Sequence, residues 1–220
     1  MIGNEAVVAL VTMSLFLVVM LVVPWLVAGE PASDALPTRE VRLWVALGLV
    51  QFTIWSTLGP AQILASALRD RGILVAASGA VSLIAAVIAV GLWRRRRRGV
   101  LESVAAIGIA SAYVMVLVRS GLSPEERTHL FEYGIVAILA FEALSERRRT
   151  RQATLRPWPI ALILAISLGI IDEVVQRFVP NRVFDPRDIV FNSIAVTMAL
   201  TSVAVMGAVR RFARERGVSR

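Results

Sequence analysis

Long stretches of this chain carry no charged side chain, and that property limits its fold more than any motif does. The uncharged runs are Ala6–Gly29, Leu43–Leu68, Gly72–Trp93, Ser103–Val118, Tyr133–Phe141, Pro157–Ile171 and Ile189–Val209. At 1.5 Å rise per residue, a helix needs about 20 residues to cross a hydrocarbon core of about 30 Å. Four of the seven runs reach that length, and the other three do so only if charged flanks continue the same helix. With 57% hydrophobic residues against 18% charged and a mean hydropathy of +0.71, a disordered chain is excluded and a water-soluble domain is disfavoured. Cysteine is absent, which removes disulfides, thiolate metal sites and cysteine nucleophiles from consideration.

Helix signals extend the short runs. Ser123-Pro124-Glu125-Glu126 reads as a capping box with proline at the first helical position, so a helix is predicted from about Pro124 to about Arg149. Asp185-Pro186-Arg187-Asp188 opens the last helix in the same way, and Val179-Pro180-Asn181-Arg182 supplies the turn that stops the helix before it. Met1-Ile2-Gly3-Asn4 has no basic region of a signal peptide, so the first run is read as a span. Gly59-Pro60 interrupts the second run, which makes a broken or re-entrant segment the alternative there.

Charge sets orientation. All 24 basic residues are arginine, and the net charge of +8 comes from arginines crowded at the ends of apolar runs. That distribution differs from the basic stripe of a nucleic-acid-binding face, so no nucleic-acid partner is expected. Arg94–Arg98, Arg147–Arg156 and Arg210–Arg220 hold five arginines each, and the positive-inside rule places all three clusters in the cytoplasm. The reading is an all-α, polytopic transmembrane bundle of about seven spans, or six plus a re-entrant segment. Its amino terminus lies outside and its carboxyl terminus inside. With a loop at Arg39–Arg42 also inside, 17 of the 24 arginines are cytoplasmic, and Trp25, Trp44, Trp93 and Trp158 fall at one interface.

Three regions follow. Residues 1–99 form a three-span extension with no ionisable side chain inside the spans, where Ala76, Gly79, Ala80, Ala86 and Gly91 permit close helix approach. Residues 100–209 form a four-helix membrane domain whose apolar runs are entered by charged residues, and residues 210–220 are a basic cytoplasmic tail that serves as a topology anchor.

In that topology three helix ends converge on the extracytoplasmic side. The fifth helix carries Glu125, His129, Glu132 and Tyr133 at spacings of three and four residues, which is one side of a helix. The sixth ends in Asp172, Glu173, Gln176 and Arg177, and the seventh opens with Asp188 and Asn192. Asp185, Asp188, Glu125 and Glu126 fit simple roles at helix amino termini. Asp172 and Glu173 do not, because negative charge is unfavourable at a helix carboxyl end, so a local compensating partner is required. Arg177 and Arg182 are the candidates for it. His129, the only histidine, is either an interfacial hydrogen-bonding residue or a general base or metal ligand. No His-Glu-x-x-His pair and no serine nucleophile context is present, so no catalytic residue, metal set or cofactor is assigned. Glu142 and Glu146 are expected to pair with Arg147–Arg149.

The string His129-Leu-Phe-Glu-Tyr133, then Asp172-Glu173-Val-Val-Gln176-Arg-Phe178-Val-Pro180-Asn-Arg182, then Asp188-x-x-x-Asn192, resembles the VanZ-like membrane family over about residues 100–205. The middle element is the specific one. Glu125-Glu126 stands where that family usually has an acidic-lysine pair, Asn181 where it has a turn glycine, and Ala195 where it has a glycine. The resemblance implies a bacterial cell-envelope protein of a family linked to resistance to glycopeptide antibiotics. It makes His129, Glu132, Tyr133, Asp172, Glu173, Gln176, Arg182, Asp188 and Asn192 one polar cluster. Three functions fit: a pocket for a lipid headgroup or lipoglycopeptide, an integral-membrane hydrolase or transferase, and an accessory subunit of a larger membrane complex. Membrane lipids and other membrane subunits are the corresponding partners.

Overall fold

The computed structural model describes residues 38–72, 99–119, 124–151, 154, 156–179 and 184–217, without the side chains of 59–65, 69 and 124–129. The first apolar run, nearly all of the third, Arg94–Arg98, the turn containing Arg182 and the last three residues lie outside this set. Every described element is a helix: α1 (Arg39–Asp70), α2 (Val100–Arg119), α3 (Pro124–Arg151), α4 (Pro157–Gln176) and α5 (Pro186–Glu215). Four are long and apolar enough to cross a membrane, namely α1 over Arg39–Leu58, α2, α4 and α5. The 28-residue α3 is not among them, because acidic and basic residues enter both of its ends.

The expected boundaries of α3 and α5 match the structure closely, and α4 stops at Gln176, before Pro180. Two readings change. Arg39–Arg42 is the first turn of α1 rather than a loop, begun by Thr38, whose carbonyl accepts the Arg42 N–H at 3.1 Å. Gly59-Pro60 does not break its segment either, because α1 runs for 32 residues straight through it. Pro60 removes one N–H from the ladder. One turn earlier the Thr57 hydroxyl bonds back to the helix, donating to the carbonyls of Thr53 at 2.8 Å and Ile54 at 3.0 Å.

The helices divide into two compact units. One holds α1 to Ala67 with the chain from Thr128 to Leu200, and the other includes α2 and the end of α5 from Thr201. In the first unit α1 buries Leu43, Ala46, Leu47, Val50, Ile54 and Leu58, a single stripe at helical spacing. The facing helices offer small residues: Ala137, Ala140 and Ala143 on α3, Ala161, Ala165 and Gly169 on α4, and Ala195 and Ala199 on α5. In lipid there is little hydrophobic force between helices, so close backbone approach over small residues is what holds such a bundle together. In the second unit α2 has no buried residue, and Val100, Val104, Ile107, Val114, Met115 and Val118 are exposed. Arg210 of α5 reaches Glu102 of α2 at 3.5 Å.

Ion pairs fix how α1 and α3 lie. Arg39 donates to Glu146 at 2.6 Å and to Glu142 at 3.1 Å, Arg149 pairs with Glu146 at 2.8 Å, and Arg151 pairs with Glu40 at 3.3 Å. The start of α1 and the end of α3 therefore share one arginine-rich end. Glu146 pairs within α3 as expected, whereas Glu142 pairs with Arg39, on a different helix. Burial by itself would raise the Glu146 carboxyl, but the bonds from Arg149 and Arg39 outweigh it and hold the group below the ordinary glutamate range. Trp158, in the first turn of α4, donates its indole N–H to the Leu200 carbonyl at 3.3 Å and so ties α4 to α5.

Candidate functional site: a polar chamber between four helices

The structure describes six of the nine residues expected to cluster as buried side chains on three helices. These are Tyr133 on α3, Asp172, Glu173 and Gln176 on α4, and Asp188 and Asn192 on α5. Glu132 beside Tyr133 is half-buried. His129 lies on α3 one turn before Tyr133, but its side chain is outside the described residues, as is Arg182 altogether. Arg177, a candidate partner for the carboxylates, is exposed and makes no ion pair among the described residues.

Backbone geometry supplies part of the compensation, for Glu173. Asp185 caps α5: its Oδ1 accepts the Arg187 N–H at 2.8 Å, with Pro186 at the first helical position. The Asp185 N–H is donated in turn to Glu173 Oε2 at 3.2 Å. The carboxylate at the negative end of α4 thus sits against the positive end of α5, where a helix stabilises an anion. Gln176 adds a bridge, its Nε2 donating to Asp172 Oδ2 and to Glu173 Oε1, each at 3.2 Å. Glycine is required nearby. A Cβ on Gly169 would fall 3.1 Å from Asn192 Cβ and 3.4 Å from Tyr133 Cε1, so its absence lets α3, α4 and α5 meet at one level.

A fourth helix enters the site at Gln51, which lies in the three-span extension and outside the expected cluster. Gln51 is 5% exposed in the middle of α1, and it and Asp172 lie within interaction range of the Tyr133 hydroxyl. That hydroxyl also reaches the Leu168 carbonyl at 3.4 Å. The available signal was an amide inside an otherwise apolar stretch, a residue type that rarely sits in a span without hydrogen bonding across helices. Both amide atoms of Gln51 and both of Asn192 are buried and lack hydrogen-bond partners among the described residues. The cluster therefore combines buried carboxylates, a phenol and two buried amides. No group of three metal-ligating side chains occurs among the described residues.

The family model described as VanZ/LLP1 matches residues 10–207. The chain belongs to the VanZ/LLP1 family. The match begins well before residue 100, where the motif resemblance starts, so the segment containing Gln51 is part of what the family shares. No curated protein and no solved structure gives a match. This VanZ-family chain is an α-helical membrane protein, with its chamber built from α1, α3, α4 and α5.

Proposed function

We propose that this VanZ-family protein binds the polar headgroup of an envelope lipid in the chamber, on the outer side of the bacterial plasma membrane, and that this binding underlies tolerance to a glycopeptide antibiotic. The observation that carries the reading is the pair of buried amides, Gln51 and Asn192, whose four polar atoms have no partner among the described residues. Leaving such groups empty costs about 1–3 kcal/mol each, so a site that keeps them is best explained by a ligand that satisfies them. Orientation is supported by the arginine-rich end. Tyr133 and Glu146 lie 13 residues apart on α3, which is roughly 20 Å of helix, so the chamber is well removed from the end the positive-inside rule assigns to the cytoplasm.

The test is complementation of cells lacking the protein with Glu173→Ala and Asn192→Ala, each matched to wild type in membrane abundance. Both variants are expected to lose tolerance to a lipoglycopeptide. Tolerance that persists at normal abundance in both would remove the chamber from the function.

A further inference from the structure

A cavity of about 900 Å³ lies at the other end of α3 from the polar cluster, where α3 meets the start of α4. Its wall combines Phe141, Pro157 and Trp158 with three arginines, Arg148, Arg149 and Arg156. Arg149 is engaged by Glu146, but Arg148 and Arg156 are exposed and make no ion pair among the described residues. The start of α4 adds to this positive field. Arg156 stands at its N-cap with no side-chain cap, Pro157 opens the helix, and no acidic residue occupies the first turn. Pro157 and Pro159 carry no N–H, so the helix dipole and the Trp158 N–H, rather than a full set of uncapped donors, favour an anion there. Trp158 is held in place by its bond to the Leu200 carbonyl, which leaves a fixed aromatic wall beside the arginines.

We propose that this cavity is a binding site for an anionic phospholipid of the cytoplasmic leaflet. The phosphodiester sits among Arg148, Arg156 and the start of α4, and the upper acyl chain lies against Phe141 and Trp158. Charge complementarity selects the anion, and the apolar wall selects a lipid over a free anion, since a small ion gains nothing from Phe141 or the indole face. The position fits as well, because interfacial tryptophan beside arginine marks the headgroup level of a bilayer. This site is separate from the polar chamber, and its occupancy does not depend on what the chamber binds.

The experiment is native mass spectrometry and thermal melting of the full-length protein in detergent, titrated with phosphatidylglycerol, with phosphatidylcholine and with inorganic phosphate. Wild type is expected to retain phosphatidylglycerol in preference to phosphatidylcholine and to melt higher with it, and inorganic phosphate is expected to do neither. Arg148→Gln combined with Arg156→Gln should weaken phosphatidylglycerol binding by about thirtyfold, the effect of removing two near-surface charges. Arg211→Gln combined with Arg214→Gln makes the same change in net charge on exposed residues of α5 and should leave binding at the wild-type level. Equal loss in both double variants, no preference between the two lipids, or stabilisation by inorganic phosphate alone would each overturn the assignment.

Discussion

Replacing Gln51 with methionine tests the chamber most directly, because it removes two hydrogen-bonding atoms while keeping an unbranched side chain of similar length. Gln51 is 5% exposed, and neither amide atom has a partner among the described residues. A buried amide without partners costs about 1–3 kcal/mol, and methionine carries no such cost. Taking about 2 kcal/mol, the ligand-free Gln51→Met protein should melt roughly 4–8 °C above wild type, given a shift of about 2–4 °C per kcal/mol for a chain of this size. The same variant should lose antibiotic tolerance in cells, since the ligand loses a donor and an acceptor at the centre of the site. Opposite signs in the two assays are the signature of a residue kept for binding at the expense of stability. If the amide were instead satisfied within the protein, for example by the Tyr133 hydroxyl, its loss would lower the melting point by the smaller amount typical of interhelical bonds in membranes, about 0.6 kcal/mol on average. A lower melting point in the ligand-free protein, or full tolerance at normal abundance, refutes the reasoning.

The glycines of the bundle should respond in opposite directions. Gly169→Ala places a methyl 3.1 Å from Asn192 Cβ and should destabilise by about 1–3 kcal/mol, whereas Gly134→Ala meets only Ala199 Cβ at 3.8 Å and should gain up to about 1 kcal/mol of helix propensity. Thermal melting of the two purified variants decides this. Asp185→Ala removes the acceptor of the Arg187 N–H and should cost about 1 kcal/mol, with lipid binding in the chamber retained because the Asp185 N–H to Glu173 is a backbone donor. Glu146→Gln should destabilise at neutral pH. Because the folded carboxyl titrates below the ordinary value of about 4.3, the stabilisation is fully present above that value and is lost as pH falls through the lower folded pKa. The gap in melting temperature between wild type and Glu146→Gln should therefore be constant from pH 7 to about pH 5 and close at lower pH.

Charge placement and caps made much of this architecture legible. Proline at the first helical position and the acidic residue before it mark where α5 begins, because those signals act within one turn and do not depend on tertiary contacts. The fate of Arg39 was not legible. It reads as part of a cytoplasmic loop until α3 brings Glu142 and Glu146 beside it, a pairing more than a hundred residues apart in sequence. Gln51 escaped for a related reason: an uncharged amide leaves an apolar run intact in any count of charges, and only packing against Tyr133 reveals it as part of a site.

The two carboxylates on α4 show how a local conflict in a sequence points to tertiary structure. Read alone, Asp172 and Glu173 oppose the dipole of their own helix, and the available remedy was an arginine. Among the described residues, part of the remedy is the next helix. Asp185 follows Gln176 by nine residues, and as the cap of α5 it gives Glu173 a backbone N–H that no bond within the helix uses. The same bond therefore relieves an acceptor-rich end and a donor-rich end, and it locks α4 and α5 in register at the depth where Gly169 lets Asn192 approach Tyr133. An isolated acidic residue could be moved along α4 without disturbing this arrangement. Glu173 cannot, since its position sets both the helix pairing and the level at which Asn192 and Tyr133 flank Gly169.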